Sequence, residues 1–302
     1  MSSSPRLGGA FTPTGTPLAL HRMGYGAMQL TGPMAFGPPR DHQAAIAVVR
    51  GAVQLGMNHI DTSDYYGPHI ANAIIREAIH PYPKDLVIVT KVGARRGPDK
   101  SWPAALSREE LTQAVHDNLR NLGLEALQIV NLRVGGPFGP NQNAIEEPLT
   151  VLADLQKQGL IRHIGLSNIS PVQLTEGQRI TKIVCVQNHY NLAHRQDDAL
   201  IGTLAMQNIA YVPYFPLGGF RSLQSPLLDA AAESLGATTR QVALAWLLQR
   251  SPNILIIAGT SSAEHLHDNL KATNLNLSPD IVARLDTMAA RAAQEKSETP
   301  HP

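Results

Sequence analysis

The sequence predicts an α/β fold: a (β/α)8 TIM barrel with a small N-terminal hairpin and an extra C-terminal helix. Short apolar runs rich in β-branched residues alternate with helical patterns along the chain, the rhythm of parallel β-α units. Eight such units follow one another within about 270 residues, which favours strands that close on themselves over an open sheet. No linker-like shift in composition interrupts them, so residues 1–302 read as a single domain with a core from about 18 to 290.

Taken in order, the Gly/Pro/Thr-rich start forms a hairpin around Thr14-Gly15, and His21 to Met28 is the first strand with its loop. Asp41 caps a helix from His42 to about Leu55, with Ile46, Val49 and Val53 on one face. Asn58 to Asp61 is a strand and Ile70 to Ile79 a helix, stopped by Pro81 and Pro83. Asp85 to Thr90 is a strand closed by Lys91. An irregular stretch from Gly93 to Leu106 follows, then a helix over 107–122, fixed by the Ser107-x-x-Glu110 capping box.

The second half repeats the pattern. Strands are expected at Ala126–Arg133, His163–Ser167, Lys182–Gln187, Ile209–Phe215 and Asn253–Ala258. Helices are expected at Ile145–Lys157, Pro171–Arg179, Asp197–Met206, Pro226–Leu235, Thr239–Leu248, Ala263–Leu270 and Pro279–Ala290. The tail from Ala292 is expected to be disordered.

A chain of this length buries about 75% of its unfolded surface and needs no covalent staple. The single cysteine, Cys185, lies in an apolar run and reads as a core thiol in a reducing compartment. The first residues lack the apolar segment of a signal peptide, and no later stretch has the length of a membrane span, so a soluble cytoplasmic protein is expected. With 25 basic and 24 acidic residues and no basic block, nucleic acid and anionic membranes are poor partners. The oligomeric state stays open.

In a barrel the strand ends gather on one face, where chemistry is done. The stretch Asp61-Thr62-Ser63-Asp64-Tyr65-Tyr66-Gly67 puts an acid at a strand end and a phenol five residues later. Lys91 closes an apolar strand, and a buried lysine asks for an anion, with Asp61 the candidate. Acid, lysine and tyrosine together make a tunable proton donor. Ser167, Asn168 and Gln187 are hydrogen-bonding groups suited to a carboxamide, and the ring of Tyr214 suits stacking on an aromatic cofactor. Gly259-Thr260-Ser261-Ser262 precedes a helix N-terminus, a favourable place for phosphate. His189, His194, His265 and His267 lack a metal-ligand arrangement, so no metal is expected. Gly24-x-Gly26 lacks the third glycine of a Rossmann fingerprint.

From about residue 18 to 290 the chain resembles the aldo-keto reductase superfamily. The matching pieces are Gly24-Tyr25-Gly26-Ala27-Met28, the stretch 61–67, Thr90-Lys91-Val92-Gly93, Ile164-Gly165-Leu166-Ser167-Asn168 and Val186-Gln187-Asn188-His189-Tyr190-Asn191. Tyr214-Phe215-Pro216-Leu217-Gly218-Gly219 and Ala258-Gly259-Thr260-Ser261-Ser262 with Asp268-Asn269-Leu270 complete the set. The resemblance implies an NADPH-dependent reductase of a small-molecule aldehyde or ketone. It places catalysis on Asp61, Tyr66 and Lys91, with Arg133 as a further catalytic candidate at the fourth position. It places cofactor contacts on Gly26, Met28, Asp61, Ser167, Asn168, Gln187, Tyr214, Phe215, Pro216, Leu217, Gly219, Gly259, Thr260, Ser261, Ser262, His265, Asp268 and Asn269.

In the implied mechanism Tyr66 protonates the oxygen that gains charge on hydride transfer, Lys91 lowers the phenol's pKa, and Asp61 keeps Lys91 charged and aimed. Arg133 departs from the histidine usual at that strand end. As a permanent cation it can stabilise an oxyanion but relays no proton, and a purely structural ion pair is its rival role. This pattern is similar to a bacterial branch of pyridoxal reductases. Ser261, Ser262 and His265 stand where basic residues often hold a 2′-phosphate. The alternative to an enzyme is an NADPH-binding sensor with negligible turnover. Asn168 has a second candidate role as a helix cap, and Trp102 and Phe138 either line a substrate mouth or simply pack.

Overall fold

Eight parallel strands surround the apolar centre of the protein, and the helices pack outside them. The structure is a computed structural model that describes residues 7–136, 139–220 and 222–290. The expectations for the first residues, for the tail from Ala292 and for Phe138 lie outside the described residues. A hairpin of β1 (Ala10–Phe11) and β2 (Leu20–His21) comes first, paired antiparallel with Ala10 opposite His21. The barrel strands are β3 (Met23–Gly26), β4 (His59–Asp61), β5 (Val87–Val92), β6 (Leu127–Arg133), β7 (Ile161–Ser167), β8 (Ile183–Gln187), β9 (Ala210–Tyr211) and β10 (Ile256–Gly259).

They run side by side in chain order, with β10 next to β3. The ring closes where the Tyr211 N–H donates to the Asn253 carbonyl and the Leu255 N–H donates to the Tyr211 carbonyl, both at 2.9 Å. The helices are α1 (His42–Gln54), α2 (Ile70–Ile79), α3 (Arg108–Leu122), α4 (Glu146–Lys157), α5 (Pro171–Ile180), α6 (Asp198–Met206), α7 (Pro226–Leu235), α8 (Thr239–Arg250), α9 (Ala263–Leu270) and α10 (Pro279–Asp286). None among the described residues is long and apolar enough to cross a membrane.

Local chemistry sets the helix starts. The Asp41 carboxylate accepts the Ala44 N–H at 2.9 Å, and Ser107 with Glu110 closes the expected capping box. The buried face of α1 is Ala45, Ile46, Val48, Val49 and Ala52; Val53, expected on it, is only half-buried at its edge. The strand expected over 209–215 is two residues long. Pro213 has no N–H to continue the ladder, so Tyr214 lies beyond regular sheet, held by its own N–H to the Asn188 carbonyl at 3.0 Å. The final strand begins at Ile256 rather than 253, because the Ile254 N–H turns back to the Ser251 carbonyl. β5 continues to Val92, which puts Lys91 inside the ladder opposite Asn131.

Side chains alternate across a strand, so every second residue points into the barrel. His59, Val89, Ile129, Cys185, Ala210, Val212, Leu255 and Ile257 line one interior space above Leu20 of the hairpin. Their strand neighbours Ile60, Ile88, Val130, Leu166, Val186 and Ile256 belong to the outer core beneath the helices. The His59 ring is wholly buried and lies against Gly24: a Cβ built there would meet Nε2 at 2.1 Å. Burial, with a smaller push from His21, holds that imidazole's pKa down to about 4, so it is neutral. Gly24→Ala is expected to cost about 1–3 kcal/mol by overpacking. Urea unfolding measures this, and unchanged stability would mean the ring has somewhere to go.

Candidate active site

The inward positions at the carboxyl ends of neighbouring strands carry Asp61, Lys91, Arg133, Ser167 and Gln187. Lys91 Nζ donates to Asp61 Oδ1 at 2.6 Å and to the Thr62 carbonyl at 2.9 Å, with both side chains about 5% exposed or less. The second oxygen of Asp61 accepts Gln187 Nε2 at 2.8 Å. A carboxylate only accepts, so this bond fixes the Gln187 amide and turns its Oε1 away from Asp61. That oxygen is buried without a hydrogen-bond partner. A buried acceptor left open next to a cavity is a place for a ligand N–H.

Tyr66 sits above the pair, its ring centroid 5.2 Å from Lys91 Nζ. Its loop is pinned by the Tyr66 N–H to the Ser63 carbonyl and by a Ser63 hydroxyl bond to the Lys91 carbonyl. Tyr65 and Trp102 meet Tyr66 edge-on, with centroids 5.4 and 6.3 Å away. Lys91 draws the phenol's pKa down as expected, but it does not decide the net shift. Burial dominates and pushes Tyr66 up to about 12, while Lys91 and Arg133 pull the other way and Tyr65 and Asp61 add to the rise. Burial also opposes the charge on Lys91, but Asp61 and the two tyrosines outweigh it and raise its pKa.

These groups open onto a cavity of about 660 Å³ lined by Gly26, Met28, Asp61, Tyr66, Lys91, Arg133, Ser167, Gln187, Tyr214, Phe215, Pro216, Leu217, Gly219 and Gly259. Trp102 lines it as well as packing on Tyr66. Tyr214 is backed by His189, stacked with centroids 5.3 Å apart. Sequence reasoning missed Gln29, Met34, Lys100, Ser101, Pro103 and Phe220 in this wall. Gln29 and Met34 come from short 3-10 turns and the others from irregular loops, where no periodicity marks a lining residue. The Arg96 guanidinium packs on Trp102, 3.7 Å from its ring centroid.

Comparison with known proteins bears on this arrangement. Residues 22–290 match the aldo/keto reductase family. The chain belongs to that family. It is 62% identical over 270 residues to pyridoxine 4-dehydrogenase of Escherichia coli (strain K12), covering 89% of this chain and 94% of that protein. Among solved structures, a thermostable aldo-keto reductase in complex with the inhibitor epalrestat superposes with a TM-score of 0.78 at 30% identity, over 92% of this chain and 99% of its own. An aldo-keto reductase from Klebsiella pneumoniae in complex with NADPH shares the fold, with a TM-score of 0.72 at 24% identity over 90% of this chain and 92% of its own.

Within this aldo/keto reductase the remaining positions are set apart from the cavity wall. Asn168, in a left-handed backbone conformation, bonds the Gly136 carbonyl through Nδ2. It is not a helix cap: Ser170 caps α5. Thr260 gives its carbonyl to the Tyr25 hydroxyl at 2.6 Å and its Oγ1 to the Ser262 N–H at 3.0 Å. Ser262 caps α9 by accepting the His265 N–H, and Ser261 sits between them in the same turn. The Asp268 carboxylate accepts Gln241 Nε2 at 2.6 Å, which ties α9 to the start of α8. Asn269 is buried with an open Oδ1.

Arg133 lines the cavity. Its Nη2 bonds the Gly136 carbonyl at 3.1 Å and its guanidinium lies 5.8 Å from the Trp102 ring centroid. Burial lowers its pKa, but Tyr65, Tyr66 and Tyr214 act against that and the net shift is upward. No carboxylate among the described residues pairs with it, so the structural ion-pair role is set aside. Asp61→Asn strips the partner from a buried ammonium and is expected to cost about 3–5 kcal/mol of stability. Chemical denaturation measures this, with Asp61→Asn/Lys91→Met recovering part of the loss; an unchanged midpoint in the single variant would contradict it.

Proposed function

We propose that this aldo/keto reductase, with residues 18–290 acting as one domain, reduces an aldehyde or ketone to the alcohol with NADPH. Tyr66 is the proton donor, and pyridoxal is the first substrate to test. The reading is carried by one arrangement: a buried Lys91–Asp61 pair beneath a protonated phenol, beside the open acceptor of Gln187, all facing one cavity. NADPH, named with the Klebsiella structure, supplies a hydride when bound. Pyridoxal follows from the name of the Escherichia coli relative. The lone, buried Cys185 fits a reducing compartment such as the cytoplasm.

The residues of this chain divide the work. Gln187 Oε1 is suited to an N–H of the nicotinamide carboxamide, Ser167 to a second polar contact, and the Tyr214 ring to stacking. Tyr66 gives its hydroxyl proton to the carbonyl oxygen as charge builds there. Lys91 then stabilises the phenolate left behind, and Asp61 keeps the ammonium charged and aimed. Arg133 adds a fixed positive charge on the same side of the cavity.

Tyr66→Phe is expected to lower kcat/KM for NADPH oxidation by about 100- to 10,000-fold, while NADPH still quenches protein fluorescence. Wild-type turnover on pyridoxal, benzaldehyde and butyraldehyde decides between enzyme and sensor. Tight NADPH binding with no oxidation on any of the three would favour the sensor. A phenol raised to about 12 keeps its proton through neutral pH. The reduction rate should therefore show no loss of this donor near neutrality and fall only as alkaline pH approaches that value. A fall centred well below the ordinary tyrosine pKa of about 10 would show that bound cofactor reverses the shift.

A further inference from the structure

We propose that His189, backed by His194, is a positioning residue for the nicotinamide ring: stacked against Tyr214, it sets the plane of the surface on which the cofactor lies. This deepens the reductase reading and rests on it. His189 is the shared member of two ring stacks. Its centroid lies 5.3 Å from that of Tyr214 with the planes 14° apart, and 4.0 Å from that of His194 with the planes 28° apart. Tyr214 lines the cavity, and the two imidazoles come from the segment after β8. Phe215 meets Tyr214 and His189 edge-on, at 5.2 and 5.7 Å.

Tyr214 needs such support because it lies beyond the two-residue strand β9, next to a left-handed Phe215 with φ 55°. A ring free to tilt is ordered anew whenever a ligand stacks on it, and that ordering subtracts from affinity. A ring already held by the protein spares the loss. Asn191, wholly buried, ties the parts of the column together. Its N–H donates to the His194 carbonyl at 3.1 Å, its carbonyl accepts the His194 N–H at 3.0 Å, and its Nδ2 donates to the Phe215 carbonyl at 2.9 Å. The Tyr214 N–H donates to the Asn188 carbonyl, next in the chain to His189. The backbone that carries the three rings is thus fixed by bonds that use neither imidazole. A separate contact joins the Asn191 Nδ2 to His189 Nε2 at 3.4 Å.

Calorimetry with NADPH and with adenosine 2′,5′-bisphosphate, which keeps the adenine end but lacks the nicotinamide, tests this. His189→Leu fills the space without an aromatic face and should weaken NADPH binding about 2- to 10-fold, the range of one aromatic pair. Affinity for the bisphosphate should stay as in the wild type. His189→Phe keeps a ring and loses Nε2, and should bind NADPH within about twofold of the wild type. His194→Leu keeps the backbone bonds of its turn, and its NADPH affinity should fall between those of the wild type and His189→Leu.

Unchanged NADPH affinity in His189→Leu overturns the proposal. So does an equal loss for both ligands, which marks general damage to the fold. A His189→Phe variant as weak as His189→Leu overturns it too, by giving the role to the Nε2 contact with Asn191. If the bisphosphate binds the wild type too weakly to measure, the contrast between Leu and Phe at position 189 decides. If circular dichroism shows His189→Leu unfolded, His194→Leu decides: weaker NADPH binding sustains the stack and unchanged binding overturns it. A wild type that binds no NADPH strikes the reductase reading and the stack's role with it, whereas NADPH bound equally well by the wild type and every variant strikes the stack alone.

Discussion

The ion pair between Lys91 and Asp61 constrains everything at the open end of the barrel. Both groups are withdrawn from water, and an unpaired charge in that position is costly. The protein meets the cost with geometry. Each oxygen of Asp61 has a donor, one from Lys91 and one from Gln187, and the ammonium has a second acceptor in the Thr62 carbonyl. These contacts draw β4, β5 and β8 together across the interior, so the pair orders the strand ends as well as the chemistry. The same saturation leaves one group open, the carbonyl oxygen of Gln187, a residue of the cavity wall.

Behind the pair lies a polar network that holds the Tyr66 loop. Thr62 bonds Asn72, Asn72 bonds Asp64 and Asn118, and Asn118 bonds Thr90 on the strand that carries Lys91. Asn121 and His69 complete the shell around the Asp64 carboxylate. Buried polar groups of this kind specify one arrangement when every member is satisfied. Their place between α2, α3 and the ends of β4 and β5 makes the loop a fixed part of the barrel, so the phenol is held in register with the ammonium.

Burial and charge compete at Tyr66, and burial prevails. A cation beside a phenol lowers its pKa in water, yet in a wall of Tyr65, Trp102 and apolar side chains the uncharged phenol is favoured more strongly. The phenol therefore rests in its protonated form, which the proposed donor role needs. Arg133 contributes a second fixed charge in the cavity wall, its Nη2 held by the Gly136 carbonyl.

Much of this was legible from the sequence. Short apolar runs, the capping box at Ser107 and the prolines after α2 depend on chemistry within a few residues, so the β-α order, the hairpin and most helix limits follow from local pattern. The motifs ending in Asp61, Lys91, Ser167 and Gln187 lie at strand ends, and that placement too is local. What the sequence left open depended on distant atoms. The short β9 and late β10 arise from backbone partners contributed by other segments. The loop residues Lys100, Ser101 and Pro103 join the cavity wall, and Tyr66 shifts upward, because separate loops converge there. Spacing along the chain decides which side of a strand a residue occupies; desolvation and field are sums over neighbours in space, and only the closed barrel supplies them.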